Sequence, residues 1–149
     1  EDDAAMKNLV YGEYAPQVLH EMNYSDIFQF TKNIFSPSIQ NNKDSIANYY
    51  YKFSEMYKNF ETDDAQVFEM ALLVSLKMQE VIIFNYPLSQ SADDALWEMA
   101  NTIREYEISD LLREEECYRK LISDYPKSIF REEAKVRLAL LRNPEAFSN

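Results

Sequence analysis

Glycine is nearly missing from this chain: Gly12 is the one example in 149 residues, and proline occurs five times. Folds built on hairpins and tight corners draw on glycine for positive φ, so the composition argues against an all-β architecture and for helices. Cysteine is as scarce. Cys117 stands alone, so no internal disulfide can form and the redox compartment stays open. His20 is the single histidine, beside Glu21, with no second histidine or cysteine set to complete a zinc site. No Ser-His-Asp set, phosphate-cradling glycine loop or redox cysteine pair can be assembled, which leaves no familiar catalytic constellation and no cofactor site. No apolar run reaches the length of a membrane span, so direct membrane insertion is not expected.

Positive charge is also in short supply. The net charge is −11, and residues 1–103 hold six Lys/Arg against sixteen Asp/Glu, whereas residues 104–142 hold nine of each. Nucleic-acid binding needs phosphates to be neutralised, and anionic lipid needs basic clusters, so both are disfavoured. A neutral or basic protein or peptide is the better-matched partner. The opening EDDAAMKN has neither an initiator Met nor a signal-like core, and it reads as a processed or truncated beginning.

What is abundant is apolar and aromatic: 46 % of the residues are apolar, with eleven Tyr, nine Phe and one Trp. That supply suits one domain over 1–149 with a buried core. Helical spacing recurs through it. Over 3–22, Met6, Leu9 and Val10 form a patch, Gly12 offers a stop, and Pro16 opens a short turn with Val18, Leu19 and Met22. Ser25 caps a helix over 25–35, and SPSIQNN at 36–42 is a loop. Residues 44–60 form an aromatic helix whose stripe is Ile46, Tyr50, Phe53 and Tyr57. Asp63 with Gln66 fits a capping box that opens a helix running to Asn85. Three more helices follow over 89–106, 109–124 and 128–142, with Ser89, Ser109 and Ser128 as their N-caps.

One phrase occurs twice. Shifted by 39 residues, Tyr86-Pro87 falls on Tyr125-Pro126, Ser89 on Ser128, Ala95 on Ala134 and Ala100 on Ala139. Asp93 and Asp94 fall on Glu132 and Glu133, where the helix dipole favours acids. In each copy an apolar helix closes on Tyr-Pro, and proline fixes the corner into the next helix. A period of this length points to helical hairpins stacked as a solenoid.

ALWEMANTI (95–103), ECYRKLISDYPKS (116–128) and EEAKVRLALL (132–141) resemble tetratricopeptide repeats. The style is that of longer-linker variants in bacterial envelope proteins such as the Tol-Pal-associated YbgF type and the BamD type. Met99 and Ala100 take the large-small pair, and Tyr118 and Pro126 the late aromatic and proline positions. Glu114 stands where a small residue is expected, and EIS (107–109) replaces the usual Gly-Asp turn. The resemblance spans 64–142. It implies antiparallel hairpins stacked as a short TPR-like solenoid: capping helices in 1–42, a divergent first hairpin over 43–88, a TPR-like hairpin over 89–126 and a capping helix over 127–142. It also implies a non-enzymatic scaffold that binds a peptide or partner helix on its concave face. There the first helix of each hairpin would present Trp97, Asn101 and Arg104, with Glu105 beside them. A structural lipoprotein-type subunit of a bacterial envelope assembly is the alternative, placing the chain at the periplasm or outer-membrane periphery rather than the cytoplasm. Two repeats are few for a free solenoid, so a second copy could also cap it as a homo-oligomer.

Several residues admit two readings. Trp97 either lines the concave face or packs on the neighbouring hairpin. Tyr49, Tyr50 and Tyr51 are consecutive and point to different faces, so at least one lies outside the core, and Tyr49 and Tyr50 are candidate contacts. Phe53 and Tyr57 read as core, the alternative being a tyrosine-rich pocket for a small ligand. The acidic pairs Asp63/Asp64, Asp93/Asp94 and Glu132/Glu133 open helices, where dipole complementation accounts for them without a metal.

Overall fold

A computed structural model describes residues 16–23, 25–27, 29, 43–109 and 111–147. Every regular element among them is helical. The order is α1 (Pro16–Glu21), α2 (Lys43–Lys58), α3 (Ala65–Asn85), α4 (Ala92–Tyr106), α5 (Glu114–Asp124) and α6 (Arg131–Arg142), then a 3-10 turn at Pro144–Phe147. The loop expected at 36–42 and most of the helices expected over 3–22 and 25–35 lie outside the described residues.

The centre of the fold is α3, on which α1, α2 and α4 all pack. Being covered from three sides, it is buried almost all round, including Val81, Ile82 and Ile83, which by run alone could pass for a strand. Asp64, not Asp63, caps it. Its extended backbone sets one carboxylate oxygen to accept from the Gln66 and Val67 N–H groups at 2.9 and 3.2 Å. Further along, Gln79 is 0 % exposed, and among the described residues neither its amide nitrogen nor its oxygen has a hydrogen-bond partner. An amide buried in this way carries its desolvation penalty uncompensated. Gln79→Met, of similar length and without the polar head, is therefore expected to stabilise the fold by about 1–2 kcal/mol, read as a higher urea midpoint.

Consecutive helices run antiparallel. Tyr50 meets Tyr86 with ring centroids 6.2 Å apart, while Ser54 on α2 accepts at its carbonyl from Ser75 of α3 at 2.6 Å; one number rises as the other falls. The same counter-running register joins α3 to α4 through Phe68 and Tyr106, 5.7 Å apart. Between α4 and α5, Trp97 meets Tyr118 at 6.3 Å. Arg131 at the start of α6 donates Nε to the Ile122 carbonyl near the end of α5, at 3.1 Å.

The repeated phrase is a repeated corner. Tyr86 (φ −132°, ψ 51°) and Tyr125 (φ −127°, ψ 65°) end their helices alike. Ser89 N–H donates to the Tyr86 carbonyl at 3.1 Å, and Ser128 N–H to the Tyr125 carbonyl at 3.0 Å. Each serine carbonyl then accepts from the residue three further on, Ala92 or Arg131, at 3.3 Å in both. Ser91 and Phe130, the true N-caps, share φ near −90° and ψ −6°. The serines at 89 and 128 are thus turn residues, and α4 and α6 begin three residues later than their positions suggest. The reason is that the corner consists of two successive turns, not one. The two corners touch: Tyr125 Oη donates to the Pro87 carbonyl at 2.6 Å.

The link between α4 and α5 departs further. Ser109 hydrogen-bonds the Leu112 carbonyl instead of capping, and α5 starts at Glu114 with Arg113 as N-cap. The Glu116 carboxylate accepts the Arg113 backbone N–H at 3.2 Å. Glu107 closes α4 in the left-handed region at φ 52°, the position where glycine ordinarily spares the chain a Cβ clash.

Candidate functional site

Alternate helices run parallel on one side of the molecule and join through side chains. From α2, Lys58 Nζ donates to Glu98 of α4 at 2.8 Å, both side chains mostly buried. Burial works against the Lys58 charge, but the Glu98 hydrogen bond and the fields of Glu98, Glu55 and Glu105 prevail and raise its pKa. Beside it, Tyr51 is raised by burial and then by Glu55 and Glu98. The Asp94 carboxyl is raised by burial, Asp93 and Glu98. The α2–α4 seam is therefore acidic, with one lysine set into it.

The α4–α6 seam has the opposite character. Trp97 stacks on Phe130 with centroids 5.1 Å apart and planes 10° from parallel, and the Arg137 guanidinium lies 4.2 Å from its ring centroid. Arg137 also donates Nη1 to the Asn101 side-chain oxygen. Its Nε is buried with no hydrogen-bond acceptor, the Glu133 carboxylate standing 3.8 Å away. Under this layer Tyr118 donates its hydroxyl to Glu114 at 2.6 Å, and burial followed by that carboxylate pushes the phenol up to about 12. At the rim, Arg104, Glu114, Arg137, Leu140, Leu141 and Pro144 line a cavity of about 340 Å³.

The candidate contacts thus divide. Trp97 and Asn101 belong to the packed seam, so the packing alternative describes Trp97. Arg104 and Glu105 are exposed, and Arg104 makes no hydrogen bond or ion pair among the described residues. Tyr49 is half-buried with Lys52 Nζ 5.2 Å from its ring centroid. Tyr50 is 0 % exposed and cannot meet a partner: its place on the α2 stripe with Ile46, Phe53 and Tyr57 directs it into the core. The cavity near the first corner, about 420 Å³, is lined by Lys43, Asp44, Pro87 and Leu88 among others, with Tyr86 its one aromatic among the described residues. The α2 stripe of Ile46, Tyr50, Phe53 and Tyr57 therefore fills a core.

Arg137 and Phe130 were not singled out from sequence, although a signal for Arg137 was present. The 39-residue shift places Glu98 on Arg137, and these are the two charged positions through which neighbouring parallel helices connect. Cys117 is buried, and desolvation together with Glu116 and Glu114 raises its thiol to about 12, which makes it a small apolar filler and no nucleophile. Among the described residues no group of three or more His, Cys, Asp or Glu side chains is placed to hold a metal, and no helix is long and apolar enough to cross a membrane. Comparison with protein-family models, curated proteins and solved structures returned no match.

Proposed function

We propose that this all-α chain is a non-enzymatic, TPR-like stack of helical hairpins that binds another protein or a peptide on the face formed by α2, α4 and α6. The observation that supports this reading is the parallel alignment of those three helices, tied by Lys58–Glu98 and by Arg137 with Trp97 and Asn101. Each connection skips the intervening helix, so one surface is made from every second element and repeats with the sequence period. Such a surface is built by rigid packing and offers a partner a preorganised groove at low ordering cost. Exposed Arg104, Glu105 and Val136 remain available on α4 and α6.

The test is site-specific photocrosslinking in the native cell. A benzophenone side chain at position 104 or 136 is expected to trap one discrete partner, whereas the same group at position 119 on α5, outside that face, traps none. Equal trapping from both sides, or from position 119 alone, overturns the assignment of the face.

A further inference from the structure

The rim cavity on the α4–α6 seam stands out because it gathers two arginines in an acidic chain. In a chain of net charge −11, two guanidiniums, Arg104 and Arg137, share one opening with Leu140, Leu141 and Pro144. Among the described residues the one acid in the lining, Glu114, already has an oxygen engaged by the Tyr118 hydroxyl. Arg137 is anchored by Trp97 and Asn101, which fixes its guanidinium in place, and the Glu133 carboxylate, exposed and outside the lining, stands 3.8 Å from its Nε. Arg104 is exposed and makes no hydrogen bond or ion pair among the described residues.

We propose that this cavity receives a carboxylate from the partner polypeptide together with an adjoining apolar side chain, a deepening that rests on the binding-face reading above. Planar guanidiniums match a carboxylate through parallel, charge-assisted hydrogen bonds. Leu140, Leu141 and Pro144 supply the apolar part of the lining beside them. A volume of about 340 Å³ lies at the small end for a self-sufficient ligand pocket, and Leu141 and Pro144 of its lining are exposed. Those dimensions suit two neighbouring side chains of a segment held along the rest of the face. Charge complementarity also sets the direction of that segment: its acidic end lies over α4–α6, and any basic residues lie toward the acidic α2–α4 seam.

The probes are two short acetylated and amidated peptides, identical except that one ends in Leu-Glu and the other in Leu-Gln. They are titrated into the full chain while its backbone amides and arginine Nε–H signals are followed by NMR. The Leu-Glu peptide is expected to move the Arg104, Arg137, Leu140 and Leu141 signals and to bind about tenfold more tightly than the Leu-Gln peptide. Arg104→Gln, at an exposed residue without partners, should keep the circular-dichroism spectrum and lose that preference, and Arg104→Lys should keep part of it. Equal or undetectable binding of the two peptides, or shifts confined to other helices, overturns the proposal. Partner trapping from position 104 with no peptide preference would remove the carboxylate pocket and leave the face; a peptide preference without trapping would do the reverse.

Discussion

Replacing Trp97 with alanine is expected to cost about 3 kcal/mol of folding stability, near the low end for a truncated aromatic because the side chain is half-buried. The loss has several parts. The indole gives up its stack on Phe130 at 5.1 Å and its tilted contact with Tyr118 at 6.3 Å, each a contribution beyond burial of area. It also gives up the Arg137 cation 4.2 Å from the ring centroid, an interaction strengthened by partial desolvation. For a domain of this size the change should lower Tm by roughly 6–12 °C. Circular dichroism in urea measures it directly, since the substitution removes the single tryptophan and with it the usual fluorescence probe. Trp97→Phe keeps a ring over Phe130 and should recover about half of the loss. A midpoint unchanged by Trp97→Ala would mean that the indole holds nothing together and is free for a partner.

This result bears on how the binding face must be tested. Combined alanine substitution of Trp97, Asn101 and Arg104 would loosen the α4–α6 seam and reduce partner capture whether or not those residues touch a partner. Asn101 fixes Arg137 and Trp97 supports it, so their removal shifts a guanidinium as well as deleting a contact. Arg104 alone is separable from the fold. In this protein the tryptophan positions an arginine, and under the proposed reading the arginines are what a partner meets.

The helices were legible from sequence because their determinants are local. Apolar stripes on α2 and α3, acids in the first turns of α4 and α6, and the two Tyr-Pro corners each act within a few residues. The corner was legible even as geometry, since the same four-residue phrase closes the same pair of turns. Helix starts were less legible. A serine after Tyr-Pro satisfies two patterns, an N-cap and a turn, and which one forms depends on where the preceding helix lets go. The α4–α5 link shows the same ambiguity without proline: Ser109 bonds the Leu112 carbonyl, and Glu116 caps from inside the helix. The site was the least legible part. Trp97 and Arg137 are 40 positions apart in the sequence, and only the parallel alignment of α4 with α6 brings cation to ring. The resemblance left Trp97 open as a concave-face contact or as packing on the neighbouring hairpin, and the stack on Phe130 makes it a brace.

Phe53→Ala should be the most destabilising single change on α2, costing about 3–5 kcal/mol. Phe53 is 1 % exposed on a stripe with Ile46, Tyr50 and Tyr57, each 5 % exposed or less. The stripe faces α3, where α2 makes its main packing contact. Truncation leaves a cavity that this helix cannot close, because the Ser54 carbonyl beside it is held by Ser75 at 2.6 Å and Tyr50 is set against Tyr86. The measurement is a urea or thermal transition monitored by circular dichroism, with Tm expected to fall by about 10 °C or more. Tyr57→Phe is the companion variant. The Tyr57 phenol is raised by burial, so below the ordinary phenol range it is neutral in the folded and the unfolded chain alike, and the substitution should leave the pH dependence of stability unchanged there. Above about pH 10 only the unfolded phenol ionises, and Tyr57→Phe should remove the loss of stability that this brings. The pair separates core from ligand groove. An aromatic groove awaiting a small molecule would tolerate Phe53→Ala with little loss of stability and gain Tm when its ligand is supplied. A packed stripe loses the fold's stability outright, and no added small molecule restores it.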